Sequence, residues 1–146
     1  MTNINQEKHI TVFNETLKHQ MTPLFNDYGV SFAYLSGSYA RGQQSVLSDI
    51  DIFVSLPFLN TITTEELLNL MSDFSRKASE VTKLEKIEIS ILERIPLHVQ
   101  FQAIKEGILL FEESQDRRIM YIENLLKFYY DHKIWYQNYL NQAVEG

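Results

Sequence analysis

Two β-prone stretches joined by a corner of small residues constrain the fold more than any other part of the sequence. The first stretch is Ser31–Leu35, and the corner at 36–38 reads Ser-Gly-Ser. The second stretch, Ile50–Leu56, is rich in β-branched and aromatic residues and is followed by Pro57, which is typical of a strand end. A short helix over Tyr39–Gln44 fits between the corner and the second strand. The segment therefore predicts a strand, a corner, a short helix and a second strand.

Hydrophobic periodicity predicts further helices and strands on both sides of this segment. Apolar residues recur at helical spacing between Asn5 and about Phe25, before it. After it we expect a helix begun by Thr63 or Thr64, a strand over Ile87–Ile91, a helix over Pro96–Glu106, an edge strand over Ile108–Phe111 and a helix from about Ser114 to Ala143. The predicted apolar stripe of the helix after Thr64 is Leu67, Leu68, Leu70, Met71, Phe74 and Ala78. The predicted fold class is α/β (α+β), a small mixed sheet flanked by helices with a long C-terminal helix.

Composition bounds the class of protein. The chain has 146 residues, of which 45% are hydrophobic and none is cysteine. A chain of about 150 residues buries enough surface to fold without disulfides or a structural metal, so we expect one domain over 1–146. The lack of cysteine excludes disulfide frameworks, cysteine-type zinc sites, iron–sulfur clusters and thiol nucleophiles. We find neither a signal peptide nor an apolar stretch of about 20 residues, and therefore expect a cytoplasmic protein that does not contact a membrane.

The charge balance is acidic. Thirteen Lys and Arg residues stand against 19 Asp and Glu residues, a formal net charge of −6. Binding to a nucleic-acid backbone depends on Lys and Arg displacing counterions, so direct nucleic-acid binding is not expected. A small nucleotide remains compatible with this charge, because carboxylates can hold a cation that in turn holds the phosphates.

The corner has the residues of a phosphate-binding site. Gly37 lets the backbone approach a ligand closely, because it has no side chain. Ser38 falls at the expected start of the short helix, where its hydroxyl, free N–H groups and the helix dipole favour an anion. Arg41, three residues further on, lies on the same helix face and can reach the same anion. As alternatives, Ser38 is a simple helix cap and Arg41 an ordinary surface arginine.

Carboxylates follow the corner. Asp49 and Asp51 are two residues apart at the start of a strand, so both point to one face while Ile50 and Ile52 point to the other. Adjacent carboxylates repel each other unless a cation lies between them, and Mg²⁺ binds such oxygen ligands together with substrate phosphates. Glu88 is the candidate third carboxylate, since it points away from the apolar side of the strand Ile87–Ile91.

Other interpretations of these carboxylates stay open. The two aspartates are also compatible with a solvated strand end. Glu88 is also compatible with an exposed strand residue paired with Lys86, and Glu85 and Glu93 are less favoured candidates for the third carboxylate.

The arrangement of Gly37-Ser38, ten residues, then Asp49-x-Asp51 resembles the signature of the polymerase-β-like nucleotidyltransferases. The surrounding Gly-Ser-x-Ala-Arg-Gly and Ser-Asp-Ile-Asp are similar to the minimal nucleotidyltransferase (MNT) branch. The resemblance implies the polymerase-β-like fold and transfer of a nucleoside monophosphate from a nucleoside triphosphate, with Mg²⁺ and release of pyrophosphate. It assigns Asp49, Asp51 and Glu88 to Mg²⁺ and catalysis, and Gly37, Ser38 and Arg41 to the nucleotide. Glu88 would also act as the general base, although the family more usually has Asp there.

The MNT branch further implies a partner. MNT-type antitoxins of type VII toxin–antitoxin systems pair with HEPN-domain toxins and transfer AMP from ATP to a tyrosine of the toxin, which neutralises it. The resemblance thus implies an antitoxin with adenylyltransferase activity, in a complex with its cognate HEPN toxin. Two alternatives stay open, namely a non-catalytic antitoxin or binding module with the same fold, and an aminoglycoside-type nucleotidyltransferase that modifies a small molecule.

The predicted C-terminal helix carries two apolar stripes, whereas a surface helix needs only one. One comprises Ile119, Ile122, Leu126, Tyr129, Tyr136 and Leu140, and the other comprises Tyr121, Leu125, Phe128, His132, Trp135 and Tyr139. We expect one stripe to dock a partner helix. The alternative is that the helix packs on the N-terminal helix with one stripe and on the sheet with the other. Arg117 and Arg118 are interpreted as an ordinary solvated helix turn.

Overall fold

A computed structural model describes residues 4–36 and 50–145 of the chain, with side chains for 13–36, 50–134 and 137–142. The helices are α1 (Ile4–Asp27), α2 (Thr64–Thr82), α3 (Leu97–Glu106) and α4 (Gln115–Glu145), and the strands are β1 (Phe32–Leu35), β2 (Ile50–Ser55), β3 (Ile87–Ile91) and β4 (Ile108–Glu112). This order confirms the prediction. The short helix predicted over Tyr39–Gln44 lies outside the described residues.

The four strands form one mixed sheet in the order β3-β2-β1-β4. Strand β1 pairs antiparallel with both β2 and β4, whereas β2 and β3 are parallel. A parallel pair needs a crossover connection, and α2 supplies it. The prediction of a small mixed sheet flanked by helices is confirmed, as is the edge position of the strand after Gly107.

The first face of the sheet carries the main core. The inward residues of β2 and β3 pack there on α1 and α2. This core includes Leu17, Met21, Phe25, Ile50, Ile52, Val54, Phe74, Ala78, Ile87, Ile89 and Ile91. Helix α2 begins with a capping box, in which the Thr63 hydroxyl accepts from the Glu66 N–H and the Glu66 carboxylate accepts from the Thr63 N–H.

The prediction of the α2 stripe is wrong for one residue. Leu68 is 64% exposed, whereas Phe74 is fully buried. Leu68 lies six residues before Phe74, which places it about 120° away around the helix axis. That angle is enough to turn its side chain off the sheet and into solvent.

The second face of the sheet carries a smaller core under α3 and the first part of α4. Phe32, Tyr34, Leu92 and Ala103 are its buried members, with Phe53, Leu109 and Tyr121 packed against them. Gly107, at the end of α3, lies so close to β1 that an added Cβ would be 2.7 Å from the Leu35 carbonyl oxygen. The end of α3 is therefore held against the end of β1, where the corner begins.

Candidate active site

Asp51 and Glu88 are direct neighbours across the sheet. In the parallel pairing of β2 with β3, Asp51 is the register partner of Glu88. Both residues alternate with buried isoleucines of the first face, so both side chains belong to the second face. Asp51 is partly buried and Glu88 is exposed. The structure thus brings together two of the three predicted carboxylates, at the start of two adjacent strands.

The corner begins beside Asp51. Ser36, which follows β1, donates its N–H to the Asp51 carbonyl oxygen at 2.9 Å. On the other side of β2, the Ile50 N–H donates to the Lys86 carbonyl oxygen at 2.8 Å. The chain therefore leaves β1 toward Gly37 from a point fixed against Asp51. Gly37, Ser38, Arg41 and Asp49 lie outside the described residues.

Ser36 is a site residue that the sequence reasoning missed. Continuing the β1–β2 register by one position places Ser36 opposite Asp51, and Asp51 is opposite Glu88. Ser36, Asp51 and Glu88 thus form one row on the second face, with Ser36 directly after the end of β1. From the sequence alone, Ser36 is only part of a corner of small residues, because no local sequence pattern shows which residue it faces across the sheet.

Glu93, one of the less favoured candidates for the third carboxylate, has a different position. It lies in the short 3₁₀ helix Leu92–Arg94 that follows β3. Its carboxylate accepts from the Ser55 hydroxyl at 2.6 Å and from the Leu56 N–H at 3.0 Å. Glu93 therefore holds the end of β2, at the other end of the strand from Asp51.

Arg118 is an anchor rather than the solvated residue expected. Its guanidinium donates to the Glu112 carboxylate and, at 3.0 Å, to the Tyr34 hydroxyl. The hydrogen bond to Glu112 raises the pKa of Arg118 above its usual value. These contacts tie the start of α4 to the second face, beside the row that contains Asp51. Tyr121, further along α4, donates to the side chain of Gln100 on α3, and burial raises its pKa.

Comparison with known protein families identifies the family to which the chain belongs. The family model described as "Polymerase beta, Nucleotidyltransferase" matches residues 19–116, a range that includes Ser36, Asp51 and Glu88. The chain belongs to this family. A comparison of the chain with curated proteins found no match.

Chains of solved toxin–antitoxin structures share the fold of this nucleotidyltransferase. A structure described as a toxin–antitoxin with AMP-PNP has a TM-score of 0.67 at 19% identity, over 87% of this chain and 98% of that chain. One described as tri-AMPylated Shewanella oneidensis HEPN toxin in complex with MNT antitoxin has a TM-score of 0.62 at 14% identity, over 90% and 98%. A third, described as the toxin–antitoxin MntA-HepT, has a TM-score of 0.62 at 15% identity, over 88% and 97%. At these identities the likeness is one of fold.

The described residues of the nucleotidyltransferase fit two ligands of a divalent cation. Asp51 and Glu88 supply carboxylate oxygens from one row, and oxygen ligands of this kind are those that Mg²⁺ prefers. Within the described ranges, no three His, Cys, Asp or Glu side chains form a group that could hold a metal. Asp49, the other carboxylate that the sequence predicts to hold the metal, lies outside these ranges.

The next row of the second face contains two aromatic residues and a serine. Tyr34, Phe53 and Ser90 are register partners across β1, β2 and β3, one step along from Asp51 and Glu88. Phe53 and Ser90 are partly exposed.

Among the described helices of the nucleotidyltransferase, none is long and apolar enough to cross a membrane.

Proposed function

We propose that the chain is a Mg²⁺-dependent adenylyltransferase that transfers AMP from ATP to a tyrosine of a cognate HEPN toxin and so acts as its antitoxin. The observation that carries the proposal is the pairing of Asp51 with Glu88, on the sheet face from which the corner leaves at Ser36. Membership of the nucleotidyltransferase family supports the type of reaction. The fold shared with a structure that contains an AMPylated HEPN toxin and an MNT antitoxin supports the acceptor and the partner.

The residues divide into two groups under this proposal. Asp49, Asp51 and Glu88 would hold Mg²⁺. Gly37, Ser38 and Arg41 would hold the triphosphate of ATP, through the backbone and the guanidinium. When bound, Mg²⁺ would neutralise phosphate charge and orient the triphosphate.

Glu88 would receive the proton in this reaction. The tyrosine Oη would form a bond to the α-phosphorus of ATP while the bond from that phosphorus to the pyrophosphate oxygen breaks. The proton of the tyrosine hydroxyl would pass to the Glu88 carboxylate, and pyrophosphate would leave. Because Glu88 is exposed, its longer side chain has room to adjust where the family more usually has Asp.

Mass spectrometry of the partner tests the proposal. We would incubate the purified chain with ATP, Mg²⁺ and the protein encoded by the neighbouring gene, and measure the mass of that protein. We expect an AMP-sized increase in mass that is lost in Asp49→Asn/Asp51→Asn and on chelation of Mg²⁺. Asp116→Asn, an exposed aspartate at the start of α4, is the matched control and should modify the partner normally.

Two results would contradict the proposal, one for each alternative function. Neutralisation of the toxin by tight binding without any change in its mass would show a non-catalytic antitoxin. ATP-dependent modification of an aminoglycoside, with no modification of the protein partner, would show an enzyme that acts on a small molecule.

A further inference from the structure

Lys86 lies on the second face of the sheet, next to Glu88. It directly precedes β3, and its carbonyl oxygen accepts the Ile50 N–H at 2.8 Å, so the pairing of β2 with β3 extends to Lys86. The side chain of Ile87 is buried in the core of the first face. Because side chains alternate along a strand, Lys86 and Glu88 both belong to the second face. Both residues are exposed.

Lys86 and the corner lie on opposite sides of Asp51. The sheet order β3-β2-β1 places Glu88 and Lys86 on one side of Asp51, and Ser36, where the corner begins, on the other. Strands lie about 4.8 Å apart and rise about 3.3 Å per residue, so the Cα atom of Lys86 is roughly 8 Å from that of Asp51. The four-carbon stem of a lysine is long and flexible enough to bring its ammonium group over the carboxylates.

The charges at this end of the sheet leave a role for a cation that the chain itself supplies. Among the described residues of β1, β2 and β3 and those directly next to them, Lys86 is the only Lys or Arg. The same set of residues contains two carboxylates, Asp51 and Glu88. A nucleotide that binds through Mg²⁺ brings phosphate charge close to these carboxylates, which repel it. A lysine ammonium group at this position would offset the repulsion, and lysine is a common ligand of phosphate.

A lysine that only neutralises Asp51 and Glu88 would behave differently. Removing its charge would let the carboxylates hold a divalent cation more tightly, because a like charge is then lost from their surroundings. Binding of a nucleotide through that cation would be unchanged or stronger. A lysine that contacts a phosphate has the opposite effect, since its removal weakens nucleotide binding while metal binding does not weaken.

We propose that Lys86 is a nucleotide-binding residue, whose ammonium group donates to the phosphate bound closest to Glu88. The identity of this phosphate rests on the proposed function. There it is the α-phosphate of ATP, because Glu88 would receive the proton of the tyrosine that attacks the α-phosphorus. Lys86 and the corner would then hold the triphosphate from the two sides of Asp51.

Calorimetric titration with an ATP analogue in the presence of Mg²⁺ tests this inference. The analogue has a methylene group between the α- and β-phosphorus atoms and therefore cannot transfer AMP. Lys86→Gln should weaken its binding at least tenfold, because a hydrogen bond between charged groups is lost. Lys86→Arg keeps the charge and should bind within about threefold of the wild type. Lys83→Gln is the matched control, since Lys83 is an exposed lysine in the same connection between α2 and β3, and its binding should stay within about twofold.

Binding of Mn²⁺ without nucleotide provides a second measurement. Mn²⁺ takes the same oxygen ligands as Mg²⁺ and is detected by electron paramagnetic resonance. Lys86→Gln should bind Mn²⁺ at least as tightly as the wild type does. If Lys86→Gln weakens the binding of Mn²⁺ and of the analogue by the same factor, Lys86 acts by positioning the carboxylates, and the inference is overturned. Thermal unfolding shows whether each variant is folded.

Other results overturn the inference while leaving the proposed function intact. If the wild type transfers AMP and Lys86→Gln binds the analogue equally well, Lys86 is only a counterion of the carboxylates. If Lys86→Gln and Lys83→Gln weaken binding equally, the effect is one of overall charge. Conversely, binding of the analogue that depends on Lys86, in a chain that transfers AMP to no protein, would overturn the proposed function alone. Failure of the wild type to bind the analogue overturns both.

Discussion

Glu88 and Glu93, two carboxylates at opposite ends of β3, should respond to substitution in opposite ways. The Glu93 carboxylate accepts from the Ser55 hydroxyl and the Leu56 N–H, and both of these residues are buried. Glu88 is exposed and faces Asp51. We therefore expect Glu93→Ala to reduce stability and preserve turnover, and Glu88→Gln to preserve stability and reduce turnover.

The loss of stability in Glu93→Ala follows from the two donors that it leaves without an acceptor. An unsatisfied buried donor costs about 1–3 kcal/mol, and the low end of this range, about 1–1.5 kcal/mol for each donor, applies because Glu93 itself lies at the surface. The free energy of unfolding should fall by about 2–3 kcal/mol. For a domain of this size that corresponds to a decrease in Tm of about 5–10 °C.

The loss of turnover in Glu88→Gln follows from the removal of a base. Positioned general bases contribute about 10²–10⁴-fold to the rate, so the rate of AMP transfer should fall by at least about a hundredfold. The Tm should change by less than about 2 °C, because substitutions at exposed positions usually alter stability by less than about 0.5 kcal/mol.

Thermal unfolding and single-turnover AMP transfer, measured on the same preparations, test the pair. Transfer is measured at a temperature at which circular dichroism shows both variants to be fully folded. The reasoning is refuted if folded Glu93→Ala loses a hundredfold in rate, because Glu93 would then take part in the reaction. It is equally refuted if Glu88→Gln transfers AMP at the normal rate.

Two further predictions concern residues away from the carboxylates. Burial, and then the hydrogen bond that the Tyr28 hydroxyl donates to Asp73, raise the pKa of Tyr28 to about 12. Because the pKa of Tyr28 is higher in the folded protein than its unfolded value of about 10, the neutral hydroxyl stabilises the fold below pH 10, and this stabilisation is lost as the pH rises toward 12. The Tm difference between the wild type and Tyr28→Phe should therefore narrow between pH 10 and 12. A Tm difference that stays constant between pH 10 and 12 would contradict the raised pKa of Tyr28. In Gly107→Ala the new Cβ would lie 2.4 Å from the Ala103 carbonyl oxygen and 2.7 Å from that of Leu35, both backbone atoms. We expect denaturant unfolding to show a loss of about 1–3 kcal/mol, and a stability equal to that of the wild type would show that this close approach is not required.

Much of the fold could be predicted from the sequence because its signals are local. Alternation marked β3, the capping residues at Thr63 marked the start of α2, and Gly107 marked the end of α3. Alternation also predicted the face on which Glu88 lies. Alternation restricted the possible registers of β2 and β3 to those that differ by two residues. It could not select one of these registers, because the two strands are far apart in the sequence. Only the pairing in the structure shows that Glu88 lies opposite Asp51 rather than opposite Phe53.

The remaining differences come from packing that sequence patterns do not contain. Arg118 follows Glu112 by six residues, and only the bend between β4 and α4 brings the two side chains together. Leu68 looked like part of the α2 stripe because leucine is apolar, but its angle around the helix places it in solvent. The two stripes of α4 were visible in the sequence. Their interpretation depended on where the helix stops packing, which only the contact between Tyr129 and Phe101 shows.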